Sequence, residues 1–280
     1  MNTELLKKFV DEAILEDIKD GDHTSLACIP STAKSGAKLL VKEDGIIAGI
    51  ELAEFIFNQF DNSLELNFTN KDGDKVSVGD IAFTVHGKAQ AILMAERLVL
   101  NCMQRMSGIA SITNKYVEKI KGTNCKVLDT RKTTPHFRYL EKWAVRIGGG
   151  TNHRMGLYDM MMIKDNHIEY AGGIAKAIES ANNYLRDKNL KLKIEIETRN
   201  LNEVEQVVSI GGVDRIMLDN FKPSNTQEAV KYINSRYETE ASGGITLDTI
   251  RDYAETGVDY VSVGALTHSY KSMDLSLKAI

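Results

Sequence analysis

The stretch Lys191-Leu-Lys-Ile-Glu-Ile-Glu197, followed by Leu201-Asn-Glu-Val-Glu-Gln-Val-Val-Ser-Ile210 and then Arg215-Ile-Met-Leu218, decides the fold class. The outer segments read as short strands, and the middle one repeats its apolar residues at helical spacing. Strand, helix and strand in so short a span form a unit with parallel strands. The rhythm continues outward in both directions. Before it, a strand at 127–128 leads to a helix at 136–147, and a strand at 160–163 leads to a helix at 174–185. After it, a helix at 225–234, a strand at 238–241, a helix at 247–256 and a strand at 260–263 complete the series. Six short strands alternating with helices predict a parallel sheet, and this many repeats favour an α/β barrel, complete or open.

The first hundred residues have a different character and read as a smaller α+β unit. Residues 4–19 have apolar positions at helical spacing, 37–41 and 45–48 read as a hairpin turned at Glu43-Asp44-Gly45, and 50–60 reads as a helix. Leu64-Glu-Leu-Asn-Phe68 alternates as a strand does, and Lys71-Asp-Gly-Asp-Lys75 is a turn. Residues 90–120 form a long helical stretch, with a break expected near Ser107-Gly108. Residues 272–280 alternate apolar side chains and are expected to return to the first unit. The resulting division is an N-terminal domain at 1–108, a barrel at 109–270 and a C-terminal segment at 271–280.

The net charge of -4 argues against a general nucleic-acid or membrane-surface binder. No apolar run approaches the ~20 residues that span a bilayer, and the first residues lack a signal-peptide pattern. Cys28, Cys102 and Cys125 match no metal-ligand spacing and read as reduced core residues of a cytoplasmic protein.

The chemistry concentrates between 129 and 167: Asp129-Thr-Arg-Lys-Thr-Thr-Pro135, Gly148-Gly-Gly-Thr-Asn-His-Arg154 and Ile163-Lys-Asp-Asn-His167. Arg131, Lys132, His153, Arg154 and Lys164 are cationic or can become so. At ~6 Å and an effective dielectric of ~20, each like-charged pair costs roughly 3 kcal/mol, so a shared cavity calls for a polyanionic ligand. Barrel sites form at the carboxyl ends of strands, where these residues fall, as do Glu197 and Asp219. Glu195 and Glu197 share one face of their strand and point toward the barrel interior or its mouth. Glu197 with Asp219 suits Mg²⁺; an internal ion pair with Lys164 or Arg131 is the other reading, and the two can coexist. Ser242-Gly243-Gly244 and Gly264 follow the last two strands, where barrels often bind phosphate through backbone N–H groups. His153, beside Arg154, is a candidate for gripping a carboxylate. His167 reads as an ordinary hydrogen-bonding residue.

Taken together these motifs resemble the quinolinate phosphoribosyltransferase family along essentially the whole chain. Gly21-Asp-His-Thr-Ser25, Ala95-Glu-Arg97, Leu100-Asn101, Ser107-Gly-Ile-Ala110, Leu218-Asp-Asn220, Ala241-Ser-Gly-Gly244 and Ser262-Val-Gly-Ala-Leu266 add to those above. The family often has Gly after Thr-Thr-Pro, where this chain has His136. The resemblance implies an open α/β barrel with a smaller N-terminal α+β sandwich domain. It also implies a homodimer in which Arg97 reaches the neighbour's site. Arg131, His153, Arg154 and Lys164 would hold the quinolinate carboxylates, with Thr130 nearby. Lys132, Glu197 and Asp219 would be catalytic and handle the ribose and Mg²⁺-pyrophosphate of phosphoribosyl pyrophosphate. Ser242, Gly243, Gly244 and Gly264 would cradle the 5′-phosphate.

The implied reaction is phosphoribosyl transfer to the ring nitrogen of quinolinate with loss of CO2, giving nicotinate mononucleotide and pyrophosphate. Three other readings stay open on sequence alone. One is a same-fold enzyme for another aromatic carboxylate, and another is a sugar-phosphate isomerase or aldolase using Lys164 as a Schiff base. The third is a non-catalytic phosphoribosyl pyrophosphate-binding protein.

Overall fold

The computed structural model describes residues 3–280. The chain divides into two units: one takes the chain through Ile112 with Pro135–Gly148 and Tyr270–Ile280, the other Thr113–Thr134 with Gly149–Ser269. No helix among the described residues is long and apolar enough to cross a membrane.

The first unit begins with helices α1 (Thr3–Asp17) and α2 (His23–Cys28), then β1 (Lys34–Val41), β2 (Gly45–Ile46) and α3 (Ile50–Phe60). It continues with β3 (Glu65–Phe68), β4 (Lys75–Val76), β5 (Ile81–Lys88) and α4 (Ala89–Lys119), whose residues from Thr113 onward belong to the second unit. The Asp72 carboxylate accepts hydrogen bonds from Gly49 and Ile50 N–H at 2.6 and 2.9 Å and so caps α3 from the turn that sequence places at 71–75. The hairpin expected at 37–48 does not form. β1 pairs with β5 on one side and the C-terminal strand on the other, while β2 pairs with β4. Both edges of β1 are therefore taken by distant segments.

α4 is unbroken at Ser107-Gly108. The small residues there serve packing: the Ser107 hydroxyl accepts from Ala48 N–H at 2.9 Å and donates to its carbonyl at 3.1 Å. A Cβ on Gly108 would meet the Lys271 carbonyl oxygen at 2.2 Å.

In the second unit β6 (Lys126–Leu128) is the first strand. The helix expected after it, α5 (Arg138–Ile147), falls with the first unit. Its fully buried Glu141 accepts from Arg105 Nε at 3.0 Å, and the Arg105 guanidinium lies 4.9 Å from the Phe137 ring centre and 4.8 Å from that of Tyr270. The series continues as β7 (Met161–Ile163), α6 (Asp165–Ala171), α7 (Ile174–Asp187), β8 (Ile194–Thr198) and α8 (Leu201–Ile210). It ends with β9 (Arg215–Asp219), α9 (Pro223–Ile233), β10 (Glu238–Ser242), α10 (Ile250–Ala254), β11 (Tyr260–Ser262) and α11 (Ala265–His268). The helix α6 has no counterpart in the sequence reading. The last strand, β12 (Leu275–Ala279), pairs antiparallel with β1 in the first unit.

The six strands of the second unit form one parallel sheet in the order β6-β11-β10-β9-β8-β7. Each strand from β7 to β10 pairs with the next along the chain, and β11 turns back to pair with β6. This is the winding of a barrel, open between β6 and β7, where the isolated bridge Leu128–Thr151 lies near the seam. Ile194, Ile196, Ile216 and Leu218 pack under Ile178, Val204, Val207, Ala229 and Ile233 of the covering helices.

Candidate active site

Strand alternation decides what faces the inside. Because Ile194, Ile196, Ile216 and Leu218 face the helices, the residues between them face the other way. Glu195 is opposite Arg215, Glu197 opposite Met217, Glu240 opposite Met217 and Ser242 opposite Asp219 in the parallel registers. The interior layer is thus charged at depth and opens toward the carboxyl ends of the strands.

There lies a cleft of about 790 Å³. Its lining includes Thr130, Arg131, Lys132, His153, Arg154, Lys164, Glu197, Asp219, Ser242, Gly243, Gly244 and Gly264, all singled out from sequence. Arg97 is not among them; it is exposed on the part of α4 that belongs to the first unit. Asn220, Glu240, Ser262 and His268 also line the cleft, and sequence gave them no role. For His268 a signal existed: it stands one helical turn after Gly264. For Glu240 the signal was a carboxylate inside a short buried strand.

The positive charge converges as expected. Burial and then the neighbouring charge of Arg131 hold Arg154 below its ordinary pKa. Arg131 Nε is buried with no hydrogen-bond partner among the described residues. Lys164 Nζ is in direct contact with Glu197 Oε1, so the internal pair anticipated for this strand forms inside the cleft. The Lys132 loop is pinned from both sides: its N–H donates to Thr130 Oγ1 at 3.0 Å, and Thr267 Oγ1 donates to its carbonyl at 2.8 Å. His167 has the modest part expected of it, accepting the Lys164 N–H on Nδ1 at 2.9 Å.

His153 differs from expectation. Sequence offered it as a direct grip on a carboxylate, but both ring nitrogens face protein groups. Nδ1 accepts the Arg154 backbone N–H at 2.7 Å, and Nε2 lies 3.0 Å from Glu195 Oε2 and 3.2 Å from Glu240 Oε2. An N–H can donate to Nδ1 only if that nitrogen keeps its lone pair, so here the ring proton sits on Nε2, toward the carboxylates. Arg215 Nη1 lies 3.1 Å from Glu240 Oε2 and 3.9 Å from Glu195 Oε2, completing a buried quartet. Burial alone would lower the His153 pKa, but the bonds to Glu195 and Glu240 outweigh it and push it up to about 9. Burial and then the Glu240 charge push Glu195 up to about 7. The quartet therefore retains an extra proton near neutrality, and because Nδ1 accepts the Arg154 N–H that proton lies on the carboxylate side, at Glu195.

Part of the cleft lining comes from glycine turns. Gly243 has φ +98°, and a Cβ there would meet Asn220 Oδ1 at 2.2 Å. The chain passes close to Asn220 because no side chain intervenes. Gly243, Gly244 and Gly264 all line the cleft, and glycine turns at strand ends suit an anion.

Two carboxylate arrangements could hold a metal. Glu197 and Asp219 offer hard oxygen donors at the cleft wall, each spending one oxygen on a neighbour: Glu197 Oε1 on Lys164 and Asp219 Oδ2 on Asn220 Nδ2 at 2.7 Å. That set fits Mg²⁺ bound with retained waters. The ligand atoms of His153, Glu195 and Glu240 also lie within 4.8 Å of one another, but the Arg215 guanidinium already supplies their positive charge.

Comparison with known proteins gives a consistent result. Residues 22–107 match the family model of the quinolinate phosphoribosyl transferase N-terminal domain, and residues 109–278 that of its C-terminal domain. Over 288 residues the chain is 49% identical to quinolinate phosphoribosyltransferase (decarboxylating) 1b of Nicotiana tabacum, covering 98% of this chain and 82% of that one. The crystal structure of NadC from Streptococcus pyogenes superposes with a TM-score of 0.94 at 37% identity, covering 100% of this chain and 99% of that one. The nicotinate-nucleotide pyrophosphorylase of Francisella tularensis superposes with a TM-score of 0.92 at 39% identity, covering 100% and 98%.

Proposed function

The chain belongs to the quinolinate phosphoribosyltransferase family, and we propose that the cation-lined cleft of its second unit is the active site. The enzyme transfers the phosphoribosyl group of phosphoribosyl pyrophosphate to the ring nitrogen of quinolinate with decarboxylation, a step of NAD biosynthesis. The observation that carries the assignment to this cleft is the crowding of Arg131, Lys132, Arg154 and Lys164 around one cavity whose three carboxylates are already engaged, Glu197 by Lys164, Asp219 by Asn220 and Glu240 by His153 and Arg215. That arrangement is stable only around a highly anionic ligand, and a diacid plus a sugar diphosphate is such a ligand.

Arg131, Arg154 and Lys164, with Thr130, hold the two ring carboxylates, while His153 lines the same cleft with both ring nitrogens engaged by protein groups. Lys132, Glu197 and Asp219 attend the ribose and pyrophosphate. Ser242, Gly243, Gly244 and Gly264 receive the 5′-phosphate on backbone N–H groups. The ring nitrogen attacks C1 of the ribose as the C1–O bond to pyrophosphate breaks, its electron pair leaving with pyrophosphate. The quaternised ring then accepts the pair released when the C2 carboxylate departs as CO2, and C2 takes up a proton. Fixed cations serve this chemistry by orientation and by meeting charge where it develops. Glu197 and Asp219 would hold Mg²⁺ directly or through water, and the ion would supply positive charge for the departing pyrophosphate.

A homodimer is part of the same reading, with Arg97 entering the neighbour's cleft. Mixing Arg97→Ala with Lys132→Ala enzyme then restores partial activity, and no restoration refutes the shared site. The cytoplasm is the proposed compartment, in keeping with three unpaired cysteines, of which Cys102 and Cys125 are buried as expected while Cys28, on the short helix α2, is exposed rather than in the core. The decisive assay supplies quinolinate, phosphoribosyl pyrophosphate and Mg²⁺ and measures nicotinate mononucleotide and CO2. Equal yields, abolished by Arg131→Ala in a folded protein, support the assignment; full activity of that variant overturns it.

A further inference from the structure

We propose that Glu240 is a positioning residue for the diacid end of the cleft, acting through the His153 ring on the backbone of Arg154. The inference deepens the reading above and rests on it. Glu240 is fully buried in β10, with Oε2 3.2 Å from His153 Nε2 and 3.1 Å from Arg215 Nη1. Arg215 is itself immobilised, with its guanidinium 4.2 Å from the Tyr260 ring centre and Nη2 3.1 Å from Glu238 Oε2. Glu240 is thus fixed from below and fixes the imidazole from one end. The other end of the imidazole accepts the Arg154 N–H at 2.7 Å.

The segment before Arg154 is tied separately: Asp129 accepts from His153 N–H at 2.8 Å and from Asn152 Nδ2 at 2.5 Å. Asp129 sets where the loop begins, and the ring sets where the Arg154 backbone goes next. The Arg154 guanidinium then donates through Nη1 to the Met160 carbonyl at 3.1 Å, within the cleft that also contains Arg131. Burying two carboxylates to hold one imidazole is a poor route to stability, since an apolar cluster of equal volume does as well. What an apolar cluster lacks is an acceptor held at a defined point facing Arg154 N–H. A carboxylate-oriented imidazole provides one.

The test is steady-state kinetics on the full-length Glu240→Gln enzyme, which keeps the side-chain volume and loses the anion. The KM for quinolinate is expected to rise roughly 10- to 100-fold, the scale of a displaced positioning group, while that for phosphoribosyl pyrophosphate stays within about twofold. In the double variant with His153→Gln the quinolinate KM should be no worse than in His153→Gln alone, because both changes break the same chain. An unchanged quinolinate KM, equal changes in both substrates, or additive effects in the double variant overturn the proposal. Wild-type enzyme that does not turn over quinolinate overturns the functional reading instead. If Glu240→Gln does not fold, Glu195→Gln, which removes the ring's other carboxylate, must show the same split in KM or the proposal falls.

Discussion

The carbonyl of Lys271 occupies the space above Gly108 on α4, leaving 2.2 Å between its oxygen and any Cβ placed there. In an exposed helix Gly→Ala stabilises by about 1 kcal/mol through propensity. Here the obstacle is backbone, which no rotamer change can move, and overpacking of that kind costs about 1–3 kcal/mol. Gly108→Ala is therefore expected to be net destabilising by up to about 2 kcal/mol, read from urea unfolding midpoints. A more stable variant would mean that this approach is not maintained in solution.

His136 adopts φ +61°, a left-handed conformation, and is exposed. A non-glycine residue there costs about 1–2 kcal/mol, partly offset by the greater entropy a glycine loses on folding. His136→Gly should leave the protein about as stable or up to about 1 kcal/mol more so, with activity retained. Thermal unfolding settles the sign, and a clear loss of stability would show that the imidazole contributes more than the backbone strain removes.

Lys164 and Glu197 form an ion pair inside the cleft. Glu197→Gln keeps the volume, releases the Lys164 ammonium into a field of other cations and weakens the carboxylate pair proposed for Mg²⁺. Turnover should drop by at least about 100-fold, the scale for losing one electrostatic group at a reacting centre. The Mg²⁺ concentration for half-maximal rate should rise. Near wild-type turnover with an unshifted Mg²⁺ curve would remove Glu197 from the catalytic set.

The raised pKa of His153 has a signed consequence for stability. Its folded value of about 9 lies above the ordinary 6.5, so folding takes up protons between those limits. The stabilisation is fully present below about pH 6.5 and is lost as pH rises through about 9. The Glu195 shift to about 7 acts in the same direction at lower pH. Unfolding midpoints measured from pH 6 to 9.5 should fall for wild type and be flatter for His153→Gln. Parallel curves would mean that the quartet does not hold the extra proton.

The parallel sheet was legible because each barrel strand is a short local pattern followed by its own helix. What failed was pairing that depends on distant segments. The expected turn at Glu43-Asp44-Gly45 was plausible, but β1 finds β5 and β12 instead. Ser107-Gly108 looked like a helix break because small residues at a close approach have the same composition as a break. In the site, the cationic groups and the Gly turns could be read from residue type and strand position. The ring commitments of His153 could not, because they depend on Glu195 and Glu240 from two different strands. The alternation Glu238, Glu240 repeats that of Glu195, Glu197, and in β8 it had already marked an inward-facing carboxylate row.

The pairing of β12 with β1 has a consequence for biogenesis. β1 emerges from the ribosome early, yet one of its two neighbours is made roughly 230 residues later. At about 5–20 residues per second that interval lasts on the order of tens of seconds. Throughout it, one side of β1 presents unsatisfied amides and carbonyls, the kind of edge to which nascent chains stick. The N-terminal sheet is thus completed after the barrel sequence has been translated, and chaperone dependence during synthesis should track the time that β12 takes to arrive.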